Sequence, residues 1–205
     1  HVLGDRWPPT DQRLYMLEEA VEVMRALWTG YEVTHVGTHY RVENARLYSA
    51  PAEPVQVHMS AFGPKAAERA ARIADGLVTT SPDPDTVDTY RGAGGRGPVI
   101  GSFKVCWAED VASARRLVHR LWPTSGLKGE LSQELRTPAH FEQAVQLVSE
   151  DDAVGDTPVG PDPAAYVEGL RRYADAGYDE VYVQQIGPDQ ERFLRFFRDE
   201  VLPSL

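Results

Sequence analysis

Residues 55–83, VQVHMSAFGPKAAERAARIADGLVTTSPD, constrain this chain more than any other stretch. They read as a strand over 55–60, a Gly63-Pro64 turn, an Ala-rich helix over 64–75 and a second strand over 77–81. Pro64 suits the first helical position, where its missing N–H costs nothing. Gly63 can adopt backbone angles closed to other residues. Neither strand alternates cleanly between apolar and polar, as expected of strands covered on both faces in a parallel sheet. The helix would start at the carboxyl end of a strand, with its free N–H groups pointing into the space above. That is a ready anion site, and ligands in parallel α/β folds collect at strand carboxyl ends.

The same alternation runs through the rest of the chain. A helix is expected over 10–29, with Leu14, Leu17, Val21, Met24 and Trp28 on one stripe, Thr10 as its cap and Gly30 as its stop. Residues 31–49 read as a short extended insertion or hairpin. Residues 83–97 read as a linker. A strand over 99–107 and a helix over 111–122 capped by Asp110 follow, then a long polar loop over 123–138 that carries Glu130 and Glu134. Helices over 139–149 and from Asp162-Pro163 to Gly177, a strand over 180–186 and a helix over 190–202 complete the pattern. Strands separated by helices imply a parallel α/β architecture with right-handed crossovers, in a single domain over 1–205. The opening segment, residues 1–9, has no strand of its own and reads as a chain that begins in the middle of something.

Composition excludes several classes. The formal net charge is −10 over 205 residues, against the basic face that nucleic-acid binding needs. A single cysteine, Cys106, rules out a disulfide framework and a Cys-based zinc site. The six histidines form no H-x-x-x-H or H-E-x-x-H pattern on a helix, so no metal is expected; His58 reads as a core histidine in a buried strand. No apolar run is long enough to span a membrane, so the expectation is a soluble, cytoplasmic protein. The run from Gly92 to Gly97 matches G-x-G-x-x-G literally, but it precedes a strand instead of following one, so it reads as a flexible linker. No serine lies in a G-x-S-x-G context. Lys104 falls within a strand, where it would either meet an anion or reach out to solvent.

Several segments together carry a resemblance: HVLGDRWPP, AARIADGLVTTSPD, KGELSQELRTPAHFEQA, PVGPDP and VQQIGPDQERFLRFFRDEVLPSL. The chain resembles the luciferase-like TIM-barrel oxidoreductases that use the deazaflavin coenzyme F420, and within them the branch named for F420-dependent glucose-6-phosphate dehydrogenase. The resemblance implies the C-terminal half of a (β/α)₈ barrel, about four β/α units. The histidine, tryptophan and glutamate that carry the family's chemistry are expected upstream of His1, so no catalytic residue is expected within the chain. It implies that Ser60, Ala61, Phe62 and Gly63 form the phosphate side of the cofactor site, with Phe62 where the family has serine. It implies a substrate pocket at Thr80, Asp83 and Ser132. The family's phosphate-holding lysines fall at Asp83 and near Ser132, and its arginine falls within 154–156, where there is no cation. Glucose 6-phosphate would lose its charge-assisted bonds and meet a carboxylate, so it is not the expected substrate. Lys104 and Lys128 would be an alternative anion site. The expected activity is hydride transfer between F420 and a small molecule by a homodimeric parent protein. Two alternatives stand beside it: an FMN-dependent monooxygenase, and a non-catalytic half-barrel that needs a partner to cover its open sheet edges.

Overall fold

The computed structural model describes residues 7–129 and 131–205; the opening segment before Trp7 and the loop acid Glu130 lie outside them. The chain divides into two compact units, one of His1–Thr79 with Asp83–Ile100, the other of Thr80–Pro82 with Gly101–Leu205.

In the first unit, helix α1 (Thr10–Trp28) buries Leu14, Val21 and Val23. Leu17 and Met24 of the expected stripe are each 38% exposed. Pro9, not Thr10, holds the cap position, and Thr10 is already helical. Gly30 does stop the helix: it takes the left-handed conformation at φ 75° and donates to the Leu27 carbonyl. Strands β1 (Val33–Val36) and β2 (Arg41–Ala45) then form the expected hairpin, antiparallel in register Val36↔Arg41.

Strand β3 is shorter than its sequence suggests, His58–Ser60, and is followed by α2 (Pro64–Ile73) and β4 (Gly76–Thr79). β3 and β4 are parallel, with His58 opposite Gly76 and Ser60 opposite Val78. Only Met59 of β3 is buried, so His58 is an exposed residue and not a core histidine. The stretch that reads as a linker is a helix, α3 (Pro84–Gly92). Asp83 accepts from the backbone N–H of Asp85 and Thr86, and Pro84 takes the first helical position. A polar helix with one buried face, here Thr86, Val87 and Tyr90, is hard to tell from a linker by composition alone. Nor is the glycine run a flexible tether. A Cβ at Gly97 would overlap the Asp75 carbonyl oxygen, and one at Gly95 the Tyr90 ring. The strand that follows, β5 (Val99–Val105), opens beside β4.

In the second unit β5 continues and is joined by β6 (Glu180–Gln185), with the Ile186 N–H donating to the Val105 carbonyl. Helix α4 (Val111–Leu121) is capped by Asp110 as expected, at 2.8 Å from the Ser113 N–H. The loop over 123–138 contains a helical turn, α5 (Leu131–Glu134), before α6 (Pro138–Ala144). A further short helix, α7 (Glu150–Val154), has no counterpart in the sequence reading. Val154 packs with Cys106, Ala114 and Val118 in a buried cluster. Helix α8 (Pro163–Asp175), capped by Asp162, packs Tyr166, Val167, Gly169 and Tyr173 inward. The Tyr173 ring meets Phe103 and Tyr178 edge-on. Helix α9 (Gln190–Phe196) runs into a wider turn over Phe197–Val201. β3 and β4 thus pair in parallel in the first unit, and β5 and β6 are neighbours in the second.

Candidate functional site

The carboxyl end of β3 leads through Ala61, Phe62 and Gly63 into α2. Ala61 is buried and its N–H donates to the Val78 carbonyl at 3.2 Å, so that donor is spent on the sheet. Ser60 is exposed, and Phe62 is 74% exposed. Gly63 has φ 172° and ψ 166°, an extended conformation open to any residue, so glycine is not there for its backbone angles. What it provides is space: a Cβ at Gly63 would meet nothing within 4 Å. The Gly63 carbonyl accepts from the Ala66 and Ala67 N–H groups, which closes the first helical turn. Among the described residues the N–H groups of Phe62, Gly63 and Lys65 find no acceptor, and Pro64 has no N–H. No acid lies in the first turn of α2, unlike α3, where Asp85 does. An uncapped helix start with free donors, open space and no carboxylate accepts an anion. Lys65 adds no charge to it, because its ammonium is paired with Asp11 at 2.8 Å. The cradle fits one flank of a phosphate-bearing cofactor, with Phe62 as an exposed apolar wall.

The three substrate-side positions behave differently from one another. Asp83 is engaged locally. Its carboxylate takes the Thr86 hydroxyl at 2.6 Å as well as the two cap N–H groups. The Thr86 hydroxyl, then the backbone donors, outweigh partial burial and hold its pKa below the usual carboxylate value. Ser132 is exposed on α5. Thr80 lines a pocket of about 400 Å³ in the second unit, with Lys104 of β5, Asp156 and Thr157 after α7, and Arg172 and Tyr173 of α8. Ser132 is not on its wall. Lys128, the other lysine of the alternative anion site, is paired with Asp152 at 2.9 Å. Thr157 and Arg172 carry no local sequence signal. The return of the chain beside β5, where Cys106 pairs with Val159, brings Thr157 to Thr80, and α8 brings Arg172.

Among the described residues no group of three His, Cys, Asp or Glu side chains could hold a metal ion. Among the described residues no helix is long and apolar enough to cross a membrane. The Cys106 thiol is buried, which pushes its pKa up to about 11 and keeps it protonated and unreactive.

Comparison with known proteins follows these features. A family model described as luciferase-like monooxygenase matches residues 2–180. An F420-dependent glucose-6-phosphate dehydrogenase of Nakamurella multipartita is 32% identical over 99% of this chain and 63% of its own length. One from Intrasporangium calvum is 33% identical over 98% of this chain and 64% of its own. The chain thus spans a little under two thirds of these relatives. A solved F420-dependent secondary alcohol dehydrogenase, in complex with an F420-acetone adduct, shares the fold at a TM-score of 0.80. It is 23% identical over 97% of this chain and 64% of its own.

Proposed function

Since the chain belongs to the luciferase-like monooxygenase family, we propose that it serves an F420-dependent oxidoreductase that moves hydride between the deazaflavin and a small-molecule substrate. The names of relatives at 32–33% identity support the choice of cofactor. The observation that carries the reading is the start of α2. It combines free N–H groups at Phe62, Gly63 and Lys65, open space at Gly63 and no acid in the first turn.

In this reading Gly63 and its neighbours hold the phosphate side of F420. When bound, F420 supplies a ring carbon that accepts or gives hydride. Ser60 can donate its hydroxyl from the strand end. Phe62, where the resemblance implies a serine, puts an apolar ring on that flank and leaves the contact to backbone donors. These residues bind and orient, and none of them moves a proton.

The substrate differs from glucose 6-phosphate. Asp83 is a helix cap held as a carboxylate, Ser132 brings no charge, and 154–156 offers no cation. A phosphosugar built for two lysines and an arginine would lose those charge-assisted bonds. The test is a fluorescence titration of the protein with F420 and, separately, with FMN. Saturable F420 binding that FMN does not displace supports the reading. FMN binding with no F420 binding overturns it in favour of a flavin monooxygenase.

A further inference from the structure

The chain has three lysines, and two of them have a carboxylate: Lys65 pairs with Asp11 and Lys128 with Asp152. The third, Lys104, lies half-buried within β5 and has no carboxylate partner among the described residues. Its ammonium sits 4.6 Å from the centre of the Trp122 ring. A strand lysine pulled partly from water is rarely left without an opposite charge, and an aromatic face offsets only part of that cost. Lys104 lines the same pocket as Thr80, Thr157 and Arg172. Arg172 makes no hydrogen bond or ion pair with any described residue, and neither do the hydroxyls of Thr80 and Thr157. By contrast the Tyr173 hydroxyl on that wall is spent on the Ser102 carbonyl at 3.0 Å. Four donors with no hydrogen-bond acceptor among the described residues, two of them cationic, therefore line one pocket of about 400 Å³. One acid, Asp156, exposed and without an ion pair among the described residues, lines it as well.

We propose that this pocket binds the carboxylate of a small organic acid. Two cations and one carboxylate leave a single positive charge on the wall, which matches a monoanion. A dianionic phosphate would be repelled by Asp156. The planar guanidinium of Arg172 can take a carboxylate through two parallel N–H bonds, with Lys104 supplying a point charge and the two threonines neutral donors. The rings of Phe103 and Tyr173 give the acid an apolar wall. Taking this acid as the substrate of the hydride transfer rests on the cofactor reading above; binding of the acid does not.

The test is calorimetric titration of the protein with benzoate and with orthophosphate. Benzoate binds the natural protein more tightly than orthophosphate does. Lys104→Met and Arg172→Gln each weaken benzoate about tenfold, the loss of one charge-assisted bond. Asp156→Asn keeps benzoate binding and strengthens orthophosphate several-fold. Arg120→Gln, an exposed change on α4, alters neither. Benzoate binding that is absent, or unchanged in the variants that stay folded, overturns the proposal, as does tighter binding of orthophosphate to the natural protein. If Lys104→Met does not fold, Arg172→Gln and Asp156→Asn decide alone. F420 is titrated separately. Loss of the benzoate site with F420 binding intact overturns this inference only, and the converse overturns only the cofactor reading.

Discussion

Single positions in this chain are held by close approach more than by charge. Gly97 is the sharpest case. It lies between α3 and β5, pressed against the Asp75 backbone, and the Arg91 guanidinium donates to its carbonyl at 2.7 Å. Its φ is ordinary, so space alone demands glycine there. Gly97→Ala would force two backbone segments apart and is expected to cost about 1–3 kcal/mol, as overpacking does. Urea unfolding measures it, and a change under 0.5 kcal/mol would contradict the close approach. Tyr166 makes a complementary case. Its ring is fully buried and its hydroxyl donates to the Gly160 carbonyl at 2.6 Å. Tyr166→Phe keeps the packing but leaves that carbonyl short of a partner, for an expected loss of about 1–3 kcal/mol. Neither role is legible in sequence. A glycine needed for space looks like any linker glycine, and the acceptor for Tyr166 is a carbonyl, which every residue has.

At the scale of elements, the hairpin shows how a small sheet is fixed to a helix. A lone two-stranded hairpin is marginal in water. Here Glu19 of α1 takes the N–H groups of His39 and Tyr40 at the turn, and its Oε1 lies 3.1 Å from the His35 ring nitrogen. Burial alone would raise its pKa, but the Tyr40 N–H, the His35 ring and the His39 N–H together hold it down. Glu19→Ala removes the acceptor for these donors. Amide exchange over β1 and β2 should then accelerate at least tenfold while α2 and β4 keep their protection. Unchanged exchange in the hairpin would show that the strands hold themselves. The hairpin, the cap of α4 and the caps at Gly30 and Asp162 were all readable, because local chemistry sets them. What escaped were α3, α5 and α7. α3 and α7 are helical because of a cap and a few buried contacts instead of a long apolar stripe, and α5 is a single exposed turn. β3 was read too long for the opposite reason, since an apolar run such as VQV looks like strand whether or not it finds a neighbour.

For the molecule as a whole, the charged groups set where it is stable. Among the described residues Glu19, Asp75, Asp83, Asp110, Asp152 and Asp199 all have pKa values below their ordinary ones. For Asp75 the largest cause is the Val57 N–H; burial opposes it, and the Arg25 guanidinium adds to it. A carboxylate whose pKa is lowered by folding stabilises the fold fully above its unfolded value, near 3.8 for aspartate. That stabilisation is lost as pH falls through the lower folded value. Cys106 and Tyr173 act in the other direction, pushed by burial to about 11 and about 12. Their contribution is present at neutral pH and fades as pH rises past the unfolded values of 9.0 and 10.0. The thermal midpoint should therefore be flat from about pH 5 to 8 and fall on both sides. A midpoint unchanged between pH 7 and pH 3 would contradict these carboxylate contacts.

The alternation of strands and helices was legible because it is a pattern of many residues. The candidate site was legible only in part. The start of α2 follows from a strand, a glycine and a proline in sequence. The pocket at Thr80 is assembled from four distant segments, of which the sequence singles out only Thr80, Lys104 and the stretch 154–156. The central claim concerns the start of α2, and titrating F420 into the natural protein, Phe62→Ser and Gly63→Asp tests it most directly. The account predicts tighter binding in Phe62→Ser, which restores a hydroxyl donor. It predicts binding weakened at least tenfold in Gly63→Asp, which places a carboxylate among the free N–H groups. Equal affinity for all three proteins would contradict it.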